Sequence, residues 1–152
     1  MIAGRDLDAQ VAEKVMGWQR MSWKAYHDLE RAAGRIREDW EDERPTLTYS
    51  WHDQSGAMTE QAEDMDEENG WHPSEDIAAA WEVVEKLHAQ GMRGMALHTE
   101  DDGWRFTIQH PTKGSCGHDH WENNEGIADT APLAICLAAL KAVGCELPQE
   151  TR

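Results

Sequence analysis

The sequence predicts an α+β fold, a small and mainly antiparallel sheet carrying helices, and three features point to it. Residues 129–144 form a helical stretch apolar on nearly every side, in a 152-residue chain of net charge −16, so that helix must be buried. Residues 95–98 and 104–108 flank Asp101-Asp102-Gly103, the pattern of a β-hairpin. Helical spacing of apolar residues recurs at 7–18 and 77–87, and each such helix needs a surface to pack on.

In chain order, Asp6 or Asp8 can start a first helix, in which Leu7, Val11, Val15 and Trp18 form the apolar face and Gly17 lies near the end. From Ser22 a second helical pattern places Tyr26, Leu29, Ala33, Ile36 and Trp40 at steps of three and four. It predicts an amphipathic helix over 22–43 with a heptad-like seam, weakened by Gly34 and broken by Pro45, that packs on the domain or forms a homodimer contact. Residues 46–51 alternate and are rich in β-branched and aromatic types, reading as a strand before the turn chemistry of Asp53-Gln54-Ser55-Gly56. Residues 59–72 read as an exposed acidic loop.

Pro73-Ser74 opens a helix with Glu75 and Asp76 at its positive end and Ile77, Ala80, Trp81, Val84 and Leu87 on one stripe, ending near Gly91. After the hairpin, a third strand is expected at 115–121. The last helix has Asp129 or Thr130 as cap, Pro132 in its first turn and Gly144 at its end, with Leu133, Cys136, Leu137 and Leu140 on one stripe. Leu137 and Leu140 are expected in the core.

The length suits one domain spanning 1–152, and the first residues lack a secretory signal, so a cytoplasmic protein is expected. Three cysteines without a framework spacing read as reduced thiols. Between Arg44 and Lys86 there is no Lys or Arg, while Asp53, Glu60, Glu63, Asp64, Asp66, Glu67, Glu68, Glu75, Asp76, Glu82 and Glu85 are all negative. Such a surface repels nucleic-acid phosphate and anionic membranes and attracts a basic protein. Glu60, Glu63, Asp64, Asp66, Glu67 and Glu68, with Trp51 and Trp71, are the expected partner-binding residues.

Chemistry-bearing motifs are sparse. Cys116, His118 and His120 would share one face of a strand, a ligand set that suits zinc, against the plainer reading of a polar strand with exposed histidines. No nucleophile elbow, phosphate loop, dinucleotide fingerprint or paired zinc-protease motif occurs, so the expectation is no catalytic residue and no cofactor other than that zinc. His52 and His72 read as ordinary surface histidines. Eight of the eleven aromatic residues are tryptophan; Trp18 and Trp81 lie on apolar stripes and read as core.

Three pieces of the chain, 7–18, 74–87 and 128–142, together resemble the phage ABA sandwich domain family, and residues 51–56 also resemble part of its pattern. The resemblance implies a phage or prophage protein with a sheet layered between helices, an α-β-α sandwich. The helix 22–43 and the acidic stretch 60–68 read as additions, and no catalytic residues come with the family. The functional expectation is a non-enzymatic acidic accessory protein that binds and inhibits or modulates a basic host protein, such as a defence or nucleic-acid-binding complex. The alternatives are a small-molecule or nucleotide-binding (sequestering) protein and a zinc-binding protein or enzyme, and the location the resemblance implies is the host-cell cytoplasm.

Overall fold

The computed structural model describes residues 3–35, 49–53, 55, 71–113, 117 and 119–147. Its elements are α1 (Arg5–Val11), a π-helical segment (Ala12–Met16), β1 (Gln19–Ser22), α2 (Trp23–Ala32), β2 (Tyr49–His52), α3 (Ile77–Ala89), β3 (Arg93–Glu100), β4 (Gly103–Lys113), β5 (Asp119–Ala128) and α4 (Ala131–Ala142). Among the described residues four helices with two small antiparallel sheets make the expected α+β sandwich. The chain divides into two compact units, Met1–Met16 with Trp71–Arg152, and Gly17–Gly70.

In the first unit the sheet order is β3-β4-β5. Asp101 and Asp102 make the two-residue turn between β3 and β4, as expected. β5 starts later and runs further than the expected strand at 115–121, in unbroken register from Lys113↔Asp119 to Trp104↔Ala128. Residues 122–128 hold two glutamates, two asparagines and a glycine, a poor strand by propensity, so pairing with β4 and cover from α4 decide their conformation.

The burial of α4 has a direct cause. Its one side packs on β4 and β5, and its other side on α3, α1 and the π-helical segment. A helix covered on two sides needs apolar residues around most of its circumference, and Ala134, Ile135, Cys136, Ala138, Ala139 and Leu140 are all fully buried. The helix is apolar on nearly every side, as expected; of the stripe within it Cys136 and Leu140 are interior, whereas Leu133 is half-buried and so is Leu137, which was expected in the core. Thr130 is the N-cap residue without a side-chain cap bond, Pro132 sits in the first turn, and Gly144 at φ +83° lets the Cys145 N–H close back on the Leu140 carbonyl at 2.9 Å.

The approach of α4 to the sheet is made possible at Gly126, buried on β5. A Cβ there would lie 2.0 Å from the Ala134 carbonyl oxygen and 2.7 Å from the Ala138 nitrogen. Lys141 Nζ donates to the Glu125 carbonyl at 2.8 Å, tying the end of the helix to the same strand.

α3 is capped by Asp76, whose carboxylate accepts from the Ala78 and Ala79 N–H groups at 3.2 Å each. Its buried face is Ala79, Ala80, Val83, Val84 and Leu87, centred on Val83. Ile77 and Trp81, expected in the stripe, lie just past its edge and are exposed. Asp8 does not cap α1, because it sits in the helix with its carboxylate fully buried.

In the second unit β1 pairs antiparallel with β2, Gln19↔His52 to Ser22↔Tyr49. β1 is four residues of mixed polarity and was not legible in the sequence. Ser22 caps α2 by accepting from the Ala25 N–H at 3.2 Å. The helix expected over 22–43 stops at Ala32, where Gly34 turns the chain at φ +72°, and the seam residues Leu29 and Ala33 are exposed; Ile36 and Trp40 lie outside the described residues. Asp28 takes Lys24 at 2.9 Å and Arg31 at 3.3 Å, and Glu30 takes Arg35 at 2.7 Å. Among the described residues no helix is long and apolar enough to cross a membrane.

Candidate partner-binding surface

The outer face of α3 combines acid with exposed apolar side chains. Ile77 and Trp81 are one turn apart, 48% and 50% exposed. Exposed Glu85 follows Trp81 by one turn, exposed Glu75 and Asp76 stand at the start of the helix, and Glu82 is half-buried beside them. An exposed tryptophan within a rim of carboxylates is the arrangement of an interface anchor, because the ring supplies area at little entropic cost while the rim sets the sign of the partner.

Sequence reasoning missed this face, since the spacing of Ile77, Ala80, Trp81, Val84 and Leu87 is helical and was read as one buried stripe. The apolar Val83 is the signal that the buried arc is centred elsewhere.

The expected anchors behave in the opposite way. Trp51 and Trp71 are both buried and present no surface to a partner, being held instead in the interior of a short strand and of the chain entering the turn before α3. Glu60, Glu63, Asp64, Asp66, Glu67 and Glu68, the acidic loop 59–72 up to Gly70, and two of the three expected zinc ligands, Cys116 and His118, lie outside the described residues. His120 is exposed on β5, opposite Thr112. Among the described residues no group of three His, Cys, Asp or Glu side chains is arranged to hold a metal ion.

His52 and His72, expected on the surface, are not exposed. His52 is fully buried, its ring 5.0 Å from that of Tyr26. His72 is half-buried, with Nδ1 3.3 Å from Asp8 Oδ2. Asp8 Oδ1 accepts from the Ser74 N–H at 2.9 Å, and the Ser74 hydroxyl in turn accepts from the Gly4 N–H at 2.9 Å. Burial raises the Asp8 carboxyl above its usual range, opposed by the bonds from Ser74 and by His72. Asp, His and Ser here do not form a hydrolytic relay, because Asp8 stands between the other two and the hydroxyl is engaged by backbone. The cluster is a clasp that fastens the start of α1 to the turn before α3.

The described arginines are largely occupied by their own neighbours. Arg105 pairs with Glu100 at 2.8 Å and Glu125 at 3.3 Å, Arg31 and Arg35 pair within the second unit, and Arg93 lies over the Trp121 ring at 5.7 Å. They do not converge on a common anion site.

With the sandwich of helices and antiparallel strands in place, the comparison with known families is decisive: the phage ABA sandwich domain matches residues 9–140. The chain belongs to the phage ABA sandwich domain family. The match spans α1 to α4 and so includes the stretch between Gly17 and Gly70 as well as the first unit. No curated protein and no solved structure matches this ABA sandwich chain.

Proposed function

We propose that this phage-family protein is a non-enzymatic acidic accessory protein that binds a basic host protein and inhibits or modulates it, in the manner of a nucleic-acid mimic. The observation that carries the reading is the outer face of α3, where Ile77 and Trp81 stand exposed among Glu75, Asp76 and Glu85. That face continues in sequence the run of acidic residues from Glu60 to Glu68, and the chain as a whole has net charge −16. Attraction over the Debye length speeds the encounter with a basic surface, and the tryptophan then fixes the docked pose. The nucleotide-sequestering alternative needs several cationic side chains turned toward one ligand, and Arg31, Arg35 and Arg105 are turned toward acids instead.

The test is capture from host lysate by three forms of the protein: the parent, Trp81→Ala, and a form with Glu75, Glu85 and the carboxylates at 63–68 changed to Gln or Asn. The reading expects a partner of basic sequence that is held at low salt, released at high salt, and lost from both variants. A captured set insensitive to salt and to both variants refutes it.

A further inference from the structure

The three-stranded sheet has two edges, and they are built differently. The β3 edge is irregular: its register with β4 shifts between Arg93 and Ala96, and Gly94 there adopts φ +61°. A bulge of this kind twists an edge out of reach of a further strand. The β5 edge is regular over ten residues, contains no Lys, Arg or Pro, and among the described residues pairs only with β4. Trp121 and Ile127 on this strand are 42% and 52% exposed.

Two hydrogen bonds show which backbone groups β5 turns outward. Thr112 Oγ1 donates to the His120 carbonyl, so the even-numbered carbonyls face β4. Lys141 Nζ reaches the Glu125 carbonyl, so the odd-numbered positions face away from it. The backbone groups of Trp121, Asn123, Glu125 and Ile127 therefore form the open ladder, because both groups of a residue in an antiparallel strand point to the same side.

We propose that β5 is a self-association edge, along which two copies of this chain pair β5 with β5, antiparallel about a twofold axis at Asn124, to join two three-stranded sheets into one of six strands. The register follows from the strand's own sequence. Centring on Asn124 sets Trp121 opposite Ile127 twice, Asn123 opposite Glu125 twice, and Glu122 opposite Gly126, so that no two carboxylates face each other over 120–128; Asp119 meets Asp129, just past the end of β5, only at the two ends of the paired strands. The two Glu125 side chains become diagonal neighbours across the axis, and each is already held by its own Arg105 at 3.3 Å. A second copy is the occupant that this pattern fits, since a closed isologous contact requires a surface complementary to itself. The Glu125 carbonyl has a second lone pair for the partner's Asn123 N–H while keeping Lys141.

Sedimentation across a concentration series, with amide hydrogen exchange on the same samples, tests the proposal. The expected result is a reversible dimer of twice 17.2 kDa, with amides of Trp121, Asn123, Glu125 and Ile127 becoming protected as concentration rises. Salt should strengthen it, since two copies of charge −16 repel, whereas capture of a basic partner weakens with salt. Asn123→Pro removes an outward N–H without touching the β4 ladder, and should raise the dissociation constant by roughly tenfold or more. Should that variant fail to fold, Ile127→Lys, at an exposed position, decides the matter by the same shift. A parent protein that sediments at 17.2 kDa up to its solubility limit overturns the proposal, as does a dimer untouched by Ile127→Lys or one without new protection along β5.

Discussion

Replacing Gly126 by alanine tests the core at its tightest point. The added methyl would begin 2.0 Å from the Ala134 carbonyl oxygen and 2.7 Å from the Ala138 nitrogen. Non-bonded heavy atoms settle near about 3.5 Å, so α4 must retreat by roughly 1.5 Å or β5 must bend away from it. Both obstructing atoms are helix backbone, so no side chain can rotate aside. Retreat would also loosen Phe106 and Ile108 against Ala134, Ala138 and Leu140, all fully buried. Overpacking usually costs about 1–3 kcal/mol, and the backbone location puts this case at about 3 kcal/mol or above. For a chain of this length that corresponds to a fall in melting temperature of roughly 6–12 °C, a large share of a total stability on the order of 5–15 kcal/mol. Thermal melting by far-ultraviolet circular dichroism, with the urea midpoint as a second measure, reads the effect. A melting temperature within about 2 °C of the parent would show that α4 does not press on β5 as described.

Four further outcomes follow from the same structure. Leu140→Asp should abolish cooperative unfolding, because an unpaired carboxylate in the core costs several kcal/mol, while Leu137→Asp at its half-buried position should cost clearly less; urea titration of both separates them. Asp8 has its folded value raised by burial, so its contribution to stability is present below the unfolded carboxylate value and is lost as pH rises through the folded one. Asp8→Asn, which has no such titration, should gain on the parent in urea midpoint as pH rises from about 4. Burial pushes the Cys136 thiol far above the usual thiol range, with the charge of Asp8 adding to the shift. Iodoacetamide should therefore modify half-buried Cys145 before Cys136 and reach Cys136 only on unfolding, as read by peptide mass mapping. Mobility shifts with duplex or single-stranded nucleic acid at about 50 mM salt should show no complex, and binding that weakens steeply with salt would contradict the charge argument.

Much of the first unit could be read from the chain. Helical spacing at 77–87 and 129–144 and the Asp-Asp-Gly turn are local signals, and α3, α4 and the β3–β4 hairpin lie where those signals put them. Readings failed where an outcome depends on what covers an element. The same spacing that predicts α3 is compatible with several buried arcs, and only the position of α4 selects Val83 over Trp81. Trp51 and Trp71 have polar sequence neighbours and are nevertheless buried, because burial is a property of the assembled chain. Asp8 looked like a helix cap because a carboxylate near a helix start usually is one; its actual partners, His72 and Ser74, are more than sixty residues away. No local pattern reports a contact of that separation. On the candidate surface, the sign of the charge was legible and the exposure of Trp81 was not.

The clasp at Asp8 and the seat of α1 against α4 also set the order in which the protein can be made. When α1 leaves a ribosome, one part of its seat, the turn at 72–74, and another, α4, about 120 residues later, are still to be made. At ordinary synthesis rates that is a wait on the order of 6–24 s, during which Leu7, Val11 and Val15 have no α4 to cover them. The stretch from Gly17 to Gly70 is by then already complete and free to form its own contacts. The unit that joins α1 to α4 thus closes only after the stretch between them has been made, and removal of α4 would leave an exposed amphipathic helix rather than a shorter protein.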